Sequence, residues 1–168
     1  MAELAFAVAV SGGSTEYAFT QTLINNTGQS WTGFKFELGF GTGSGFTPSS
    51  SLDALDFDTP NLDLSPTSSV FTALGHQADV LAWSGATVTA VSAVLFTFSV
   101  DVPDGLASLN PSGLSEFTLR GTPLVAPPIP EPSTVLLLGA GLAGLVLRRL
   151  GGRQKRTAAR DSYRSHPS

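Results

Sequence analysis

An acidic stretch near the middle of the chain has the residue types that a calcium site needs. Four aspartates follow one another at close spacing: Asp53, Asp56, Asp58 and Asp63. Carboxylate oxygens suit Ca²⁺, and an acidic domain gains from binding it. The spacing is not that of an EF-hand loop, which needs glycine at its sixth position. The aspartates are therefore metal-site candidates, beside the alternative that they only keep the surface soluble.

Residues that could perform nucleophilic catalysis are few. A nucleophile elbow needs glycine two residues on either side of its serine, but Thr42 and Phe46 flank Ser44 at those positions. His76 is the one histidine before the C-terminal segment, so a Ser/His/Asp triad would depend on it alone. Its Gly-His-Gln-Ala-Asp context indicates a surface loop. Cysteine is absent, which excludes a thiol nucleophile and a zinc ribbon. We expect no enzyme and no cofactor.

Aromatic side chains offer a second kind of binding chemistry. Trp31 and Trp83, together with Phe46, could stack against sugar rings in a carbohydrate-binding module. Tryptophan and phenylalanine in strands are more often part of a core. These three aromatic residues therefore predict either a sugar-stacking platform or part of the hydrophobic core.

The elements that must position these residues are strands. Leu4 to Val125 is rich in Thr, Ser, Val and Phe and is punctuated by Gly, Pro, Asn and Asp, which is typical of short strands joined by turns. The predicted strands are Leu4–Ser11, Tyr17–Ile24, Phe34–Phe40, Val70–Leu74, Val80–Trp83, Thr87–Val102 and Leu114–Val125. About seven short strands predict an all-β fold, an antiparallel β-sandwich, with a barrel as the alternative.

The clearest strand is Phe34–Phe40. Its apolar residues Phe34, Phe36, Leu38 and Phe40 alternate with Lys35, Glu37 and Gly39, so we expect one buried and one solvated face. Asn25–Gln29 contains residues that tolerate a turn, which predicts that Tyr17–Ile24 is the hairpin partner of this strand.

Charge is distributed unevenly along the chain. Residues 1–129 hold eleven acidic side chains and only Lys35 and Arg120 as basic ones, a net charge of −9. Residues 148–168 hold seven basic side chains and one acidic one, Asp161. Because phosphate neutralisation needs a Lys/Arg surface, the acidic body is not expected to bind nucleic acid.

A membrane-spanning segment is expected near the C-terminus. The apolar run Val135–Leu147 gives about 20 Å of helix, and Ser133 to Leu150 gives about 27 Å, close to a bilayer core when the flanking arginines reach the headgroups. Basic residues follow the run, so the positive-inside rule places the tail in the cytoplasm and the body outside. The predicted organisation is a β-sandwich ectodomain at 1–125, a proline-rich spacer at 126–132, a single transmembrane helix at 133–150 and a basic tail at 151–168.

The order of these features resembles a known signal. Pro130-Glu131-Pro132, a short Leu/Gly/Ala span and an arginine cluster are similar to the PEP-CTERM protein-sorting signal of Gram-negative bacteria that make exopolysaccharide. The resemblance implies recognition of Pro130, Glu131 and Pro132 by exosortase, a membrane-embedded processing enzyme. It also implies a cytoplasmic membrane stop formed by basic residues, namely Arg148, Arg149, Arg153, Lys155 and Arg156.

Together these features predict an exported, non-enzymatic surface or extracellular-matrix protein with a structural or adhesive role. The alternative is a carbohydrate- or calcium-binding module on the same anchor. The expected partners are exosortase and the lipid bilayer, with exopolysaccharide as a further candidate. We expect the inner membrane first, with the body in the periplasm, and then the cell surface or the medium. Leu4–Val10 follows Glu3 and indicates a strand, so a leader peptide is expected upstream of Met1.

Overall fold

The computed structural model of the protein describes residues 1–57 and 65–127. Residues Met1–Ala126 form one compact unit. The described ranges contain nine strands: β1 (Ala2–Ala7), β2 (Ser14–Ile24), β3 (Trp31–Phe40), β4 (Thr47–Pro48), β5 (Thr67–Ser68), β6 (Ala73–Gln77), β7 (Val80–Ser84), β8 (Ala93–Pro103) and β9 (Glu116–Val125). A short 3-10 turn at Gly43–Gly45 and a single-turn helix, α1 (Leu106–Leu109), complete the secondary structure of those ranges.

The strands form two antiparallel sheets. The first has the order β1-β9-β3-β7-β6, with β4 also pairing with β3, and the second has the order β2-β8-β5. The longest pairing joins β2 to β8 and runs from Ser14 opposite Pro103 to Ile24 opposite Ala93. The expected antiparallel all-β class is confirmed, and the two-sheet arrangement is that of a sandwich.

Aromatic side chains fill the space between the sheets. Phe36 of the first sheet contacts Phe96 and Phe98 of the second at ring-centroid distances of 5.3 and 5.0 Å. The Trp83 ring lies 4.8 Å from Phe96. Phe96 and Phe98 are fully buried. Burying a phenylalanine of this kind stabilises the fold by about 1.5–3 kcal/mol, so this aromatic layer is the main attachment between the two sheets.

The alternation predicted for β3 is found in the structure. Phe34, Phe36, Leu38 and Phe40 are buried, whereas Lys35 and Glu37 lie on the opposite face and are half-buried. Gly39 shares that outer face but is buried as well, because Phe46 and Thr47 lie directly over it. The outer face of β3 is therefore covered at one end.

The predicted hairpin between Tyr17–Ile24 and Phe34–Phe40 is wrong. β2 pairs with β8 in the second sheet, and β3 pairs with β9, β7 and β4 in the first. The chain crosses between the sheets after Ile24, where Asn25 is fully buried. The Asn25 side-chain amide donates to the carbonyls of Gln29 and Val88, and its oxygen accepts from Thr27. These bonds fix a crossover connection instead of a hairpin turn.

Two further strand predictions differ from the structure. Gly75-His76-Gln77-Ala78-Asp79 was expected as a loop, but His76 lies in β6, and only Ala78 and Asp79 form the turn to β7. The long strand expected at Thr87–Val102 is formed from Ala93 onward, and before it Val88 makes an isolated bridge with Trp31. The local composition of these two segments predicts extended chain or turns, but it does not specify which strand each segment pairs with.

Candidate functional site

The predicted acidic stretch lies beside the β6–β7 turn. Asp53 accepts hydrogen bonds from the backbone N–H groups of Ser50 (2.8 Å) and Leu55 (3.0 Å), one to each carboxylate oxygen. Asp56 forms a two-way backbone bridge with Asp101 of β8, with N···O distances of 3.1 and 2.8 Å. These contacts hold the segment against the core, where Leu55 and Phe57 are completely buried.

Asp79 adds a further carboxylate to this corner, and nothing in its sequence position, sixteen residues after Asp63, predicts that it joins the others. Burial raises the pKa of Asp79, and the nearby charges of Asp53 and Asp56 act in the same direction. The Ser49 hydroxyl donates to Asp79 Oδ1 at 2.9 Å and opposes that rise in pKa. The corner therefore concentrates negative charge at one end of the first sheet.

The structure describes two of the four aspartates that were candidates for binding calcium, Asp53 and Asp56. Within residues 1–57 and 65–127, no group of three or more His, Asp or Glu side chains is arranged to hold a metal ion. Asp58 and Asp63 lie outside the described residues. Calcium binding stays a prediction, and calorimetry with millimolar Ca²⁺ tests it: heat of binding and a raised melting temperature would support it.

His76 has a structural contact. Its Nε2 atom lies 2.7 Å from the carbonyl oxygen of Phe57, and the Phe57 N–H donates to the carbonyl of Ala78. The residue that a triad would need thus attaches the acidic segment to the hairpin of β6 and β7. The absence of enzymatic activity itself stays a prediction.

The proposed sugar-stacking platform is wrong. Trp31 and Trp83 are 5% and 2% exposed and belong to the core between the sheets. The Trp31 indole N–H donates to Thr27 Oγ1 at 3.0 Å. Phe46 lies elsewhere, on the outer face of the first sheet. Hydrophobic burial has removed the two tryptophan faces from any large ligand.

Phe46 belongs to an outer-face cluster formed by Glu3, Arg120, Gly43 and Phe46. The Arg120 guanidinium lies 3.6 Å from the centre of the Phe46 ring and 2.7 Å from Glu3. It also donates to the carbonyl of Gly43, and the Gly43 N–H donates to Glu3. The Gly43 N–H and the Arg120 charge hold the pKa of Glu3 below its ordinary value. The cluster fastens the 41–46 loop onto the sheet.

A second anchored carboxylate, Asp104, follows β8. Asp104 accepts from the consecutive backbone N–H groups of Ser11, Gly12 and Gly13, at 2.9, 2.5 and 2.6 Å. These bonds, the one from Ser11 first, hold the pKa of Asp104 below its ordinary value. The connection between β1 and β2 is therefore fixed by an acid about ninety residues away in sequence.

The two basic side chains of the body are both in ion pairs. Lys35 Nζ lies 2.8 Å from Glu37, and Arg120 lies beside Glu3. Each pair is on the outer face of the first sheet. Both basic side chains of the body's described ranges are therefore partly neutralised by a neighbouring carboxylate. That the body does not bind nucleic acid stays a prediction.

An open apolar cavity of about 260 Å³ lies at one end of the sandwich. Its lining includes Leu23, Ile24, Trp31, Phe34 and Pro123. Met1, Ala2 and Gly121 also line it, and Ala2 lies opposite Gly121 in the pairing of β1 with β9. The cavity marks the place where β1 begins and the two sheets separate.

Comparison with known proteins identifies the C-terminal segment. A family model described as PEP-CTERM protein-sorting motif matches residues 128–150. The chain carries a PEP-CTERM protein-sorting signal. The match includes Pro130, Glu131 and Pro132 and ends just after Arg148 and Arg149. No curated protein and no solved structure matches the chain.

The PEP-CTERM signal indicates how the protein is exported and sorted. It marks the chain as an exported protein that is sorted by exosortase, with a membrane-associated C-terminal anchor. The expected transmembrane helix at 133–150, the sorting motif and the basic stop at Arg148, Arg149, Arg153, Lys155 and Arg156 all lie outside the described residues. No helix within the described ranges has the length and apolar content of a membrane span.

Proposed function

We propose that the protein is first a single-pass inner-membrane protein with its β-sandwich in the periplasm, and that exosortase then delivers it to the cell surface or the surrounding matrix. The PEP-CTERM match carries this proposal. Residues 133–150 are long enough to span with snorkelling arginines, and the seven basic side chains after Leu147 favour a cytoplasmic tail.

We further propose a structural or adhesive role for the sandwich rather than a catalytic one. The side chains that suggested chemistry have other tasks: Trp31 and Trp83 fill the core, His76 contacts a backbone carbonyl, and Asp53 caps its own loop. The body presents an acidic surface rich in Ser and Thr. Exopolysaccharide is the proposed matrix component around it, and the bilayer and exosortase are the partners before release.

The sorting step is tested by substituting the acid of the motif. In a host with an active exosortase, Glu131→Ala should leave a full-length chain in the membrane fraction, while the wild-type chain changes size and compartment. Asp161→Ala removes the other acid of the C-terminal segment and serves as the matched control, which should behave like wild type. Equal size and location of all three chains would overturn the proposal.

A further inference from the structure

The second sheet ends in a long edge strand. β2 runs from Ser14 to Ile24, and within the described ranges its only strand neighbour is β8. It contains no Lys, Arg, Pro or Gly, and its single charged residue, Glu16, lies near one end. Natural edge strands are usually shortened, charged or interrupted by proline to prevent pairing with another chain. β2 has none of these protections over residues 17–24.

The other sheet edges in the described part of the chain are different. β6 has five residues and contains Gly75, and β5 has two residues. β1 has six residues and carries the charged side chain of Glu3, which is ion-paired with Arg120. Only β2 combines length with an uninterrupted, nearly uncharged backbone edge. This contrast within one molecule singles out β2 as a pairing edge.

The outer face of the second sheet carries a row of threonines that leads to this edge. Thr67 lies opposite Thr97, and Thr97 lies opposite Thr20. The hydroxyls of Thr67 and Thr97 are 2.5 Å apart. Thr20, at the end of the row, is exposed on β2. Cross-strand threonine pairs stabilise a sheet, so a strand that presented another threonine opposite Thr20 would extend the row.

We propose that the β2 edge binds the β2 edge of a second copy of this chain, antiparallel, about a two-fold axis through Thr20. Residues that lie opposite one another must share a face, and this register satisfies that condition. It places Thr20 opposite Thr20, Ala18 opposite Thr22 and Glu16 opposite Ile24. The two Glu16 carboxylates are then far apart, whereas registers centred nearer Glu16 would bring them together. The product is a continuous six-stranded sheet.

The lack of charge along residues 17–24 favours a second copy over a cationic partner at this edge, because a cationic partner would be attracted to the acidic surfaces elsewhere on the body. The body carries −9 over residues 1–129, and its two basic side chains are already ion-paired, so two copies repel at most of their surfaces. The stretch 17–24 is the uncharged exception. Association through it should strengthen with salt, because screening reduces the repulsion between bodies. A cationic partner would give the opposite dependence on salt.

Cysteine crosslinking tests the contact, since the chain has no cysteine of its own. Thr20→Cys in the full-length chain, purified in detergent and oxidised, should give a disulfide-linked dimer on a non-reducing gel. Ala73→Cys, at an exposed position on edge strand β6, is the matched control and should remain monomeric. Equal crosslinking of the two variants, or none in either, would overturn the proposal.

A charge swap separates edge pairing from contacts elsewhere, including contacts between apolar C-terminal segments. Thr20→Lys and Thr20→Glu should each weaken self-association by about fivefold, because like charges then lie opposite one another. A mixture of the two variants should recover it. Raising the ionic strength from about 0.05 to 0.5 M should strengthen wild-type association. Unchanged association in both single variants would contradict the proposal. The proposal does not rest on sorting, because the purified chain is tested without exosortase.

Discussion

At the scale of single residues, the body uses carboxylates in two opposite ways. Asp104 accepts hydrogen bonds from three consecutive backbone N–H groups, which favour its charged form. Asp79 is half-buried near Asp53 and Asp56, and its burial and their charges disfavour its charged form. Their pKa values shift in opposite directions, so their effects on stability have opposite dependence on pH. Two amide substitutions distinguish them.

Replacing Asp79 by asparagine should stabilise the fold at pH 7. Between the ordinary carboxyl pKa and the raised value, the native state binds more protons than the unfolded state, so stability falls as pH rises through that window. Asparagine cannot ionise, and its oxygen can still accept from Ser49. We expect the melting temperature at pH 7 to rise by about 2–5 °C. The gain should disappear below about pH 3.8, where Asp79 is protonated in both states. A gain that is independent of pH would contradict this account.

Replacing Asp104 by asparagine should have the opposite effect. A lowered pKa contributes stability that is present above the unfolded-state value and lost as pH falls through the folded-state value. The asparagine NH₂ group would also face the N–H donors of Gly12 and Gly13. Thermal unfolding from pH 7 down to pH 2 should show a less stable variant at pH 7 and convergence at the acid end. The control is Glu16→Gln at an exposed position. Equal stability of Asp104→Asn and wild type at pH 7 would refute the role of Asp104.

At the scale of elements, the outer-face cluster fixes the 41–46 loop over the end of β3. A methyl group at Gly39 would collide with the carbonyl of Thr47 and the ring of Phe46. Gly39→Ala should therefore reduce the free energy of unfolding by about 1–3 kcal/mol in denaturant titration. Gly45→Ala in the same loop meets no atom within 4 Å and should change it little. Similar losses for the two variants would show that the loop is not packed as described.

The elements also show which parts of the fold the sequence could predict. The alternation of β3 and its buried face follow from a two-residue period, which is local information. The pairing of β2 with β8 joins Phe19 to Phe98, and Glu3 meets Arg120 across 117 positions. Nothing near either residue specifies its partner, so the hairpin prediction failed. The sorting signal could be predicted without knowledge of the fold, because it is defined by the order of the Pro-Glu-Pro motif, the apolar run and the basic residues along the sequence.

At the scale of the whole molecule, orientation in the membrane depends on the basic residues after the span. Substituting Arg148, Arg149, Arg153, Lys155 and Arg156 by glutamine should allow part of the population to insert with the opposite orientation. Protease added to spheroplasts should digest the wild-type body completely and leave a protected fraction of the variant. Identical digestion of the two chains would contradict a charge-determined orientation.

In this protein an antiparallel β body is exported and then sorted through its C-terminal signal by exosortase. The most direct measurement compares the same chain in two otherwise identical hosts, with and without exosortase, by mass spectrometry of its C-terminus and by cell fractionation. Without exosortase we expect a full-length, membrane-bound chain. With exosortase we expect a chain that is shortened or modified at the signal and is found at the surface or in the medium. An unaltered C-terminus and the same compartment in both hosts would contradict sorting by exosortase.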